Sequence, residues 1–188
     1  MIKEVGDIEV YPNLFIYVGH SLESEERYEY VLHSSYEDNS IQQFCDRMTN
    51  GIALMGFNNK GYDYPVLHHI LSMSKHGSTD DMCESIFQYS DNLIKSNERV
   101  WFKEREIKIP EFDIYLLHHF NNKAKACGLK HIEIAMRMDN VEDLPYAPGT
   151  FIEKEDVQTV VDYCHHDVDA TKKFIYASNK EIDLRKGL

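Results

Sequence analysis

The chain has 188 residues, 43% of them hydrophobic and 28% charged, with a formal net charge of −12. That length holds one ordinary domain with a real core, and the balance is that of a globular chain, not a disordered or fibrous one. The acidic excess excludes a passive nucleic-acid-binding module with a basic surface. It does not exclude an enzyme whose clustered carboxylates hold divalent cations, because bound metals reverse the local field.

In chain order, residues 6–10, 14–20 and 26–33 alternate or run apolar and are rich in Val, Ile, Tyr and Phe. They read as three strands of an antiparallel meander, turning at Tyr11-Pro12-Asn13 and in the acidic LESEE stretch. Residues 38–50 fit a helix with Ile41, Phe44, Cys45 and Met48 on one side. GIALMGFN, at 51–58, is a short apolar run after a helix, the pattern of a parallel strand buried on both faces. Helices are expected from Tyr64 to Ser74 and over 80–97, the latter capped by Ser78, Thr79 and Asp80. VWFKEREIKIPEFDIY begins strand-like and turns helical through DIYLLHHF, while the acidic, proline-bearing 139–150 reads as a loop. Trp101 and Phe102, between Arg99, Lys103 and Arg105, read as part of a packed insertion hairpin. A last helix spans about 154–178, with Val157, Val160, Val161, Cys164, Val168 and Ile175 as its core stripe. The expected fold is α/β, a mixed sheet flanked by helices in a single domain over 1–188.

Beyond this, no apolar run approaches the roughly 20 residues that cross a bilayer. The N-terminal MIKEVGDIEVY carries acids where a signal peptide needs an apolar stretch, so a cytoplasmic chain with no membrane partner is expected. Cys45, Cys83, Cys127 and Cys164 form no C-x-x-C pair and read as reduced thiols. The polar NKEIDLRKGL at the C-terminus reads either as a frayed tail or as a join to a longer protein.

Three segments carry chemistry. Asp7 and Glu9 stand two apart in a strand and share one face. Taken alone, a D-x-E in a strand reads as a solvated face. Asp63 falls where the buried strand has ended and a helix begins, a place that also suits an N-cap, with Asn58 and Tyr62 ahead of it in an N-x-x-x-Y-D pattern. Tyr163 and Asp167 are four apart on the last helix and share a face. Together they offer four carboxylates able to converge on one sheet edge. Such hard oxygen donors suit Mg²⁺ or Mn²⁺, and two ions about 4 Å apart would clamp the attacking and leaving oxygens of a phosphodiester. The pairs His68-His69, His118-His119 and His165-His166 carry no zinc expectation, since neighbours on a helix diverge by about 100°.

These residues match a known pattern. DIEVYPNLFIYVG, GFNNKGYDYPVL and YCHHDVDAT resemble the three exonuclease motifs of the DEDD 3'-5' exonucleases, in the family's order and across residues 7 to 171. The Tyr-x-x-x-Asp of the third segment marks the DEDDy branch. In the DEDDh branch a His stands five residues before the last Asp, where this chain has Asp162. The flavour is that of proofreading exonuclease domains of DNA polymerases, bacteriophage enzymes in particular. FDIYLLHHF and GLKHIEIAM resemble the connecting segment of those phage enzymes.

The resemblance implies an RNase H-like fold, a five-stranded mixed sheet with helices on both sides, and a chain that is either a stand-alone nuclease or the N-terminal part of a longer polymerase-like protein. It implies that Asp7, Glu9 and Asp167 hold a first metal ion, that Asp7 bridges to a second, and that Asp63 acts there through bound waters. Tyr163 would orient the attacking water, since a phenol of pKa about 10 is a poor base at neutral pH. Asn58 would contact the substrate strand near its scissile end, and Tyr62 would either stack on an unpaired base or simply pack. The implied activity is hydrolysis of single-stranded DNA from its 3' end to nucleoside 5'-monophosphates in replication or proofreading, with a DNA polymerase domain or subunit as partner. Two alternatives stay open: an exoribonuclease trimming RNA 3' ends, and an inactive nuclease fold serving as a binding or assembly module.

Overall fold

The structure is a computed structural model and describes residues 2–37, 40–73, 77–96, 100–119 and 127–186. It is an α/β fold. The meander is present as β1 (Ile2–Tyr11), β2 (Leu14–Ser21) and β3 (Arg27–His33). Helix α1 (Ile41–Asn50) leads into β4 (Ile52–Gly56), then α2 (Asp63–Ser72) and α3 (Thr79–Ser96). A three-residue strand, β5 (Glu111–Asp113), runs directly into α4 (Ile114–His119). Helices α5 (Leu129–Ala135), α6 (Val157–Ala177) and α7 (Asn179–Lys186) complete the described chain. The five strands form one mixed sheet in the order β3-β2-β1-β4-β5, with β1–β2 and β2–β3 antiparallel and β1–β4 and β4–β5 parallel.

Strand side chains alternate between faces, so β2 divides its residues between two cores. Phe15 and Tyr17 join Ile8, Phe44, Met48, Leu67 and Ile86 on the face covered by α1, α2 and α3. Leu14, Ile16 and Val18 join Val5, Val160, Val161, Cys164 and Val168 on the face covered by α6. Each such side chain, wholly removed from water, contributes about 1.5–3 kcal/mol. Every residue of β2 is buried, which explains its continuous apolar run.

Helix α3 starts as its caps predict. The Ser78 hydroxyl accepts the Asp81 N–H at 3.1 Å, and the Asp81 carboxylate accepts the Ser78 N–H at 3.2 Å, a reciprocal box that satisfies two donors at the helix start. The early part of the helix expected over 38–50, the helix ends expected at Ser74 and 97, and Arg99 lie on or run into positions outside the described residues.

Elsewhere the structure departs from expectation, each time for a physical reason. Strand β1 starts at Ile2, not at residue 6. Lys3 and Glu4 hid this, yet Glu4 is buried on the sheet: Tyr17 donates to its carboxylate at 2.6 Å, and Arg47 of α1 pairs with both its oxygens. No hairpin forms around Trp101 among the described residues; 100–103 is irregular, and only Phe102 packs, edge-on to Tyr64. The strand-like reading of VWFKEREIKIP shrinks to β5, because Glu104–Glu106 closes a single 3₁₀ turn. The polar tail folds as α7, which needs just one apolar anchor, Ile182, to dock on the α6 core.

The loop before α6 is fixed to the far end of the sheet. Asn13, in the β1–β2 turn, donates from Nδ2 to the Ile152 carbonyl at 2.8 Å and accepts the Ile152 N–H on Oδ1 at 2.9 Å. His33 Nε2 donates to the same carbonyl at 2.9 Å. Both backbone groups of Ile152 are thus satisfied away from water, and α6 starts five residues later from a fixed point. Asn13→Ala leaves the Ile152 amide N–H buried without its partner and should destabilise the fold by about 2–3 kcal/mol, a fall in Tm of roughly 4–10 °C. Thermal unfolding by circular dichroism checks this; an unchanged Tm would contradict it.

Candidate metal centre

The sheet makes a gap, and acids fill it. Strand β1 pairs with β4 only over Ile2–Val5, while its pairing with β2 continues to Tyr11. Past Val5 the β4 side of β1 is therefore free, at the C-terminal end of the parallel strands, where open α/β sheets place their ligand crevices. Asp7 and Glu9 lie in this stretch of β1, both half-buried, on the α6 side between Val5 and Tyr11. Asp63 opens α2 and is 7% exposed. From α6, Asp167 brings its carboxylate to the same place, so that oxygens of Asp7, Glu9 and Asp167 lie within 4.8 Å of one another. Asp63 stands close enough to Asp7 for its charge to raise the Asp7 carboxyl. Tyr163, one turn before Asp167, stands beside it, and the Asp167 charge raises its phenol after burial.

Confinement makes these acids reluctant to ionise. Burial, then the charges of Asp63, Asp167 and Glu9, pushes Asp7 well above the ordinary carboxyl range. Burial, then Asp167 and Asp63, pushes Glu9 up to about 8. Burial raises Asp63 to about 7 and Asp167 to about 6. The same burial, reinforced by Asp167, holds the Tyr163 phenol in its protonated form. Beneath the cluster, Cys164 places its Sγ 4.0 Å from Asp7 Oδ2, and burial raises its thiol too. Among the described residues, no Lys or Arg forms an ion pair with any of the four acids. Four hard oxygen donors crowded together, with no Lys or Arg ion-paired to them among the described residues, fit one or two Mg²⁺ or Mn²⁺ ions, which Asp7, Glu9, Asp63 and Asp167 could hold.

The sequence-derived residues thus separate into two groups. Asp7, Glu9, Asp63, Tyr163 and Asp167 come together. Tyr62 adjoins them, and their charges raise its phenol further after burial, but its hydroxyl is bonded to Ser90 Oγ at 2.6 Å and its ring packs on the α2/α3 core. Packing is therefore its observed use. Asn58 stands in the left-handed region at φ 57° and lines a separate cavity of about 200 Å³ with Lys60, Gly61, Trp101 and Asp113.

Three residues were missed. Asp113, 7% exposed at the end of β5, accepts backbone N–H groups from Asn58 at 3.0 Å, Lys60 at 3.2 Å and Tyr115 at 3.0 Å. It ties down the loop that leads to Asp63, and its position before IYLL was a legible N-cap signal. Glu133 of α5 and His166 of α6 gather beside Asp167. No motif marked them, because their proximity depends on how α5 packs. The other member of that His pair faces elsewhere: His165 bonds through Nδ1 to His20 Nε2 at 2.6 Å and through Nε2 to Glu29 at 2.6 Å, while His20 Nδ1 meets Asp169 at 2.9 Å.

No protein-family model and no curated protein matches this chain.

The raised acids set the pH response of the metal-free protein. Their folded-state pKa values exceed those of the unfolded chain, so their contribution to stability is whole below about pH 4.5 and is lost as pH rises through 6 to 8. Metal-free protein should lose roughly 5–10 °C in Tm between pH 5 and pH 8.5, with Mg²⁺ or Mn²⁺ restoring most of it and Glu9→Gln flattening the profile. Differential scanning calorimetry with and without EDTA reads this; a profile identical in Glu9→Gln would remove the acids as its cause.

Proposed function

We propose that this chain is a metal-dependent 3'-5' exonuclease of the DEDDy type, acting on single-stranded DNA. The observation that carries the proposal is the convergence of Asp7, Glu9, Asp63 and Asp167 at the C-terminal ends of the parallel strands, with Tyr163 beside Asp167 and, among the described residues, no Lys or Arg ion-paired to the set. The strand order β3-β2-β1-β4-β5, with β2 alone antiparallel to both its neighbours, suits the RNase H-like fold implied by the motifs.

On this reading each residue has a chemical task. Asp7, Glu9, Asp63 and Asp167 would hold one or two divalent cations. Bound cations would lower the pKa of a water and neutralise charge on the phosphodiester. Tyr163 stays protonated at neutral pH, which suits it to orient a water by donating or accepting a hydrogen bond and unsuits it as a base. The cations also answer the net charge of −12, since they provide locally the positive field that the chain lacks globally. Trp101, 74% exposed beside the Asn58 cavity, offers a face on which an unpaired base would stack.

A 5'-labelled single-stranded DNA and an RNA of the same sequence, incubated with Mg²⁺, Mn²⁺ or EDTA, test the proposal. A stepwise ladder from the DNA 3' end is expected, abolished by EDTA and reduced on the order of a thousandfold by Asp7→Ala. Tyr163→Phe should slow cleavage about 10- to 100-fold while leaving cation binding intact. Metal-independent cleavage, or cutting within a circular strand, would overturn the exonuclease reading. Preference for the RNA would make the chain an exoribonuclease, and tight strand binding without cleavage would make it a binding module.

A further inference from the structure

Beside the carboxylate cluster is a second group of donors with different chemistry. Helix α5 packs on α6 and turns Glu133 inward, where it is 1% exposed. Its Oε2 and the Nε2 of His166 are both buried and neither makes a hydrogen bond. They face each other at 3.6 Å, too far for a hydrogen bond. An orphaned buried carboxylate oxygen and an orphaned imidazole nitrogen are each costly alone, and a gap of this size between them is informative. Two ligand atoms each about 2.1 Å from a common ion lie 3.6 Å apart when they subtend about 120° at it. A third donor closes the set: oxygen and nitrogen atoms of Glu133, His166 and Asp167 all lie within 4.8 Å of one another.

The surroundings fit the same use. A metal-bound imidazole commonly has a carboxylate opposite its other nitrogen, which fixes the ring. The Glu142 carboxylate stands 3.9 Å from His166 Nδ1, on that side. Lys130, one turn before Glu133 on α5, is paired with Asp143 of the neighbouring loop, so it does not fill the gap as a counter-ion.

We propose that Glu133, His166 and Asp167 form a second metal site, contiguous with the carboxylate cluster and sharing Asp167 with it. Its imidazole nitrogen directs it to a borderline divalent transition ion, Mn²⁺ or Zn²⁺, and away from Mg²⁺ and Ca²⁺, which prefer oxygen alone. The site is defined by its ligands and stands whether or not the chain cleaves nucleic acid. It makes Asp167 a bridge between an all-oxygen centre and a nitrogen-bearing one.

Pulsed electron paramagnetic resonance of the protein titrated with Mn²⁺ alone separates the two centres, because only a directly bound imidazole gives ¹⁴N modulation. Wild type should show that modulation. His166→Asn should abolish it, Glu133→Gln should weaken Mn²⁺ binding at this site at least tenfold, and Zn²⁺ but not excess Mg²⁺ should displace the signal. The Asp7→Asn/Glu9→Gln protein should lose the oxygen-only ion and keep the nitrogen-coupled one. Circular dichroism verifies that each variant is folded, and an unfolded His166→Asn is replaced by His166→Gln. Mn²⁺ bound without ¹⁴N coupling in wild type, or coupling that survives loss of His166, would overturn the site. Neither result depends on nuclease activity, which is measured separately and can fail without affecting this outcome.

Discussion

Four carboxyl groups crowded together in a half-buried crevice oppose folding, and much of the architecture serves to hold them there. Each would prefer solvent, and each raises the cost of ionising the others. They stay because the groups around them are fixed by stronger interests. Asp7 and Glu9 are built into a strand paired with β2 from Glu4 to Tyr11. Asp167 rides on a helix whose Val160, Val161, Cys164 and Val168 are buried against the same sheet. Asp63 opens a helix whose Tyr64, Val66, Leu67 and Ile70 are buried on the other face of the sheet. Apolar burial on both sides of the sheet offsets a local electrostatic loss, a pattern found where function rather than stability has chosen the residues.

Placement from a distance matters as much. The acids belong to three elements separated by long stretches of chain, and buried polar side chains outside the cluster fix the approaches to them. Asn13 fixes the approach to α6 through both backbone groups of Ile152. Asp113 fixes the approach to α2 through the N–H groups of Asn58 and Lys60. On the opposite face Glu4, Tyr17 and Arg47 lock α1 to the first two strands. Asp113 lies near enough for its charge to raise Asp63, and all of these polar groups help determine where the cluster's members stand.

What the sequence disclosed follows the range of the interactions involved. Alternation along LFIYVG and the 3.6-residue stripe from Val157 to Ile175 are local, and they led directly to β2 and α6. The motif acids were legible because strand and helix periodicity dictate which neighbours share a face, as for Asp7 with Glu9 and Tyr163 with Asp167. The start of β1 was not, since a charged Glu4 signals an exposed end until Arg47, 43 residues away, is known to meet it. Helix α7 was missed for a similar reason: its polar face is genuine, and Ile182 is a single anchor that no period reveals. Glu133 was invisible because its depth depends entirely on how α5 lies against α6.

Helix α6 serves several masters around its circumference. Val160, Val161, Cys164 and Val168 face the core, Tyr163 and Asp167 the acids, His166 the Glu133 side, and His165 with Asp169 the network of His20 and Glu29. Successive residues turn by about 100° and advance about 1.5 Å, so every side chain between 160 and 169 is indexed to one neighbour. Losing or gaining a single residue there would rotate all later positions by that angle, driving histidines into the core and valines into the acids at once. Substitution can adjust this helix one contact at a time, whereas a change in its length cannot be gradual. Natural variation in length should therefore accumulate in the exposed 139–150 loop and stop short of this stretch of α6.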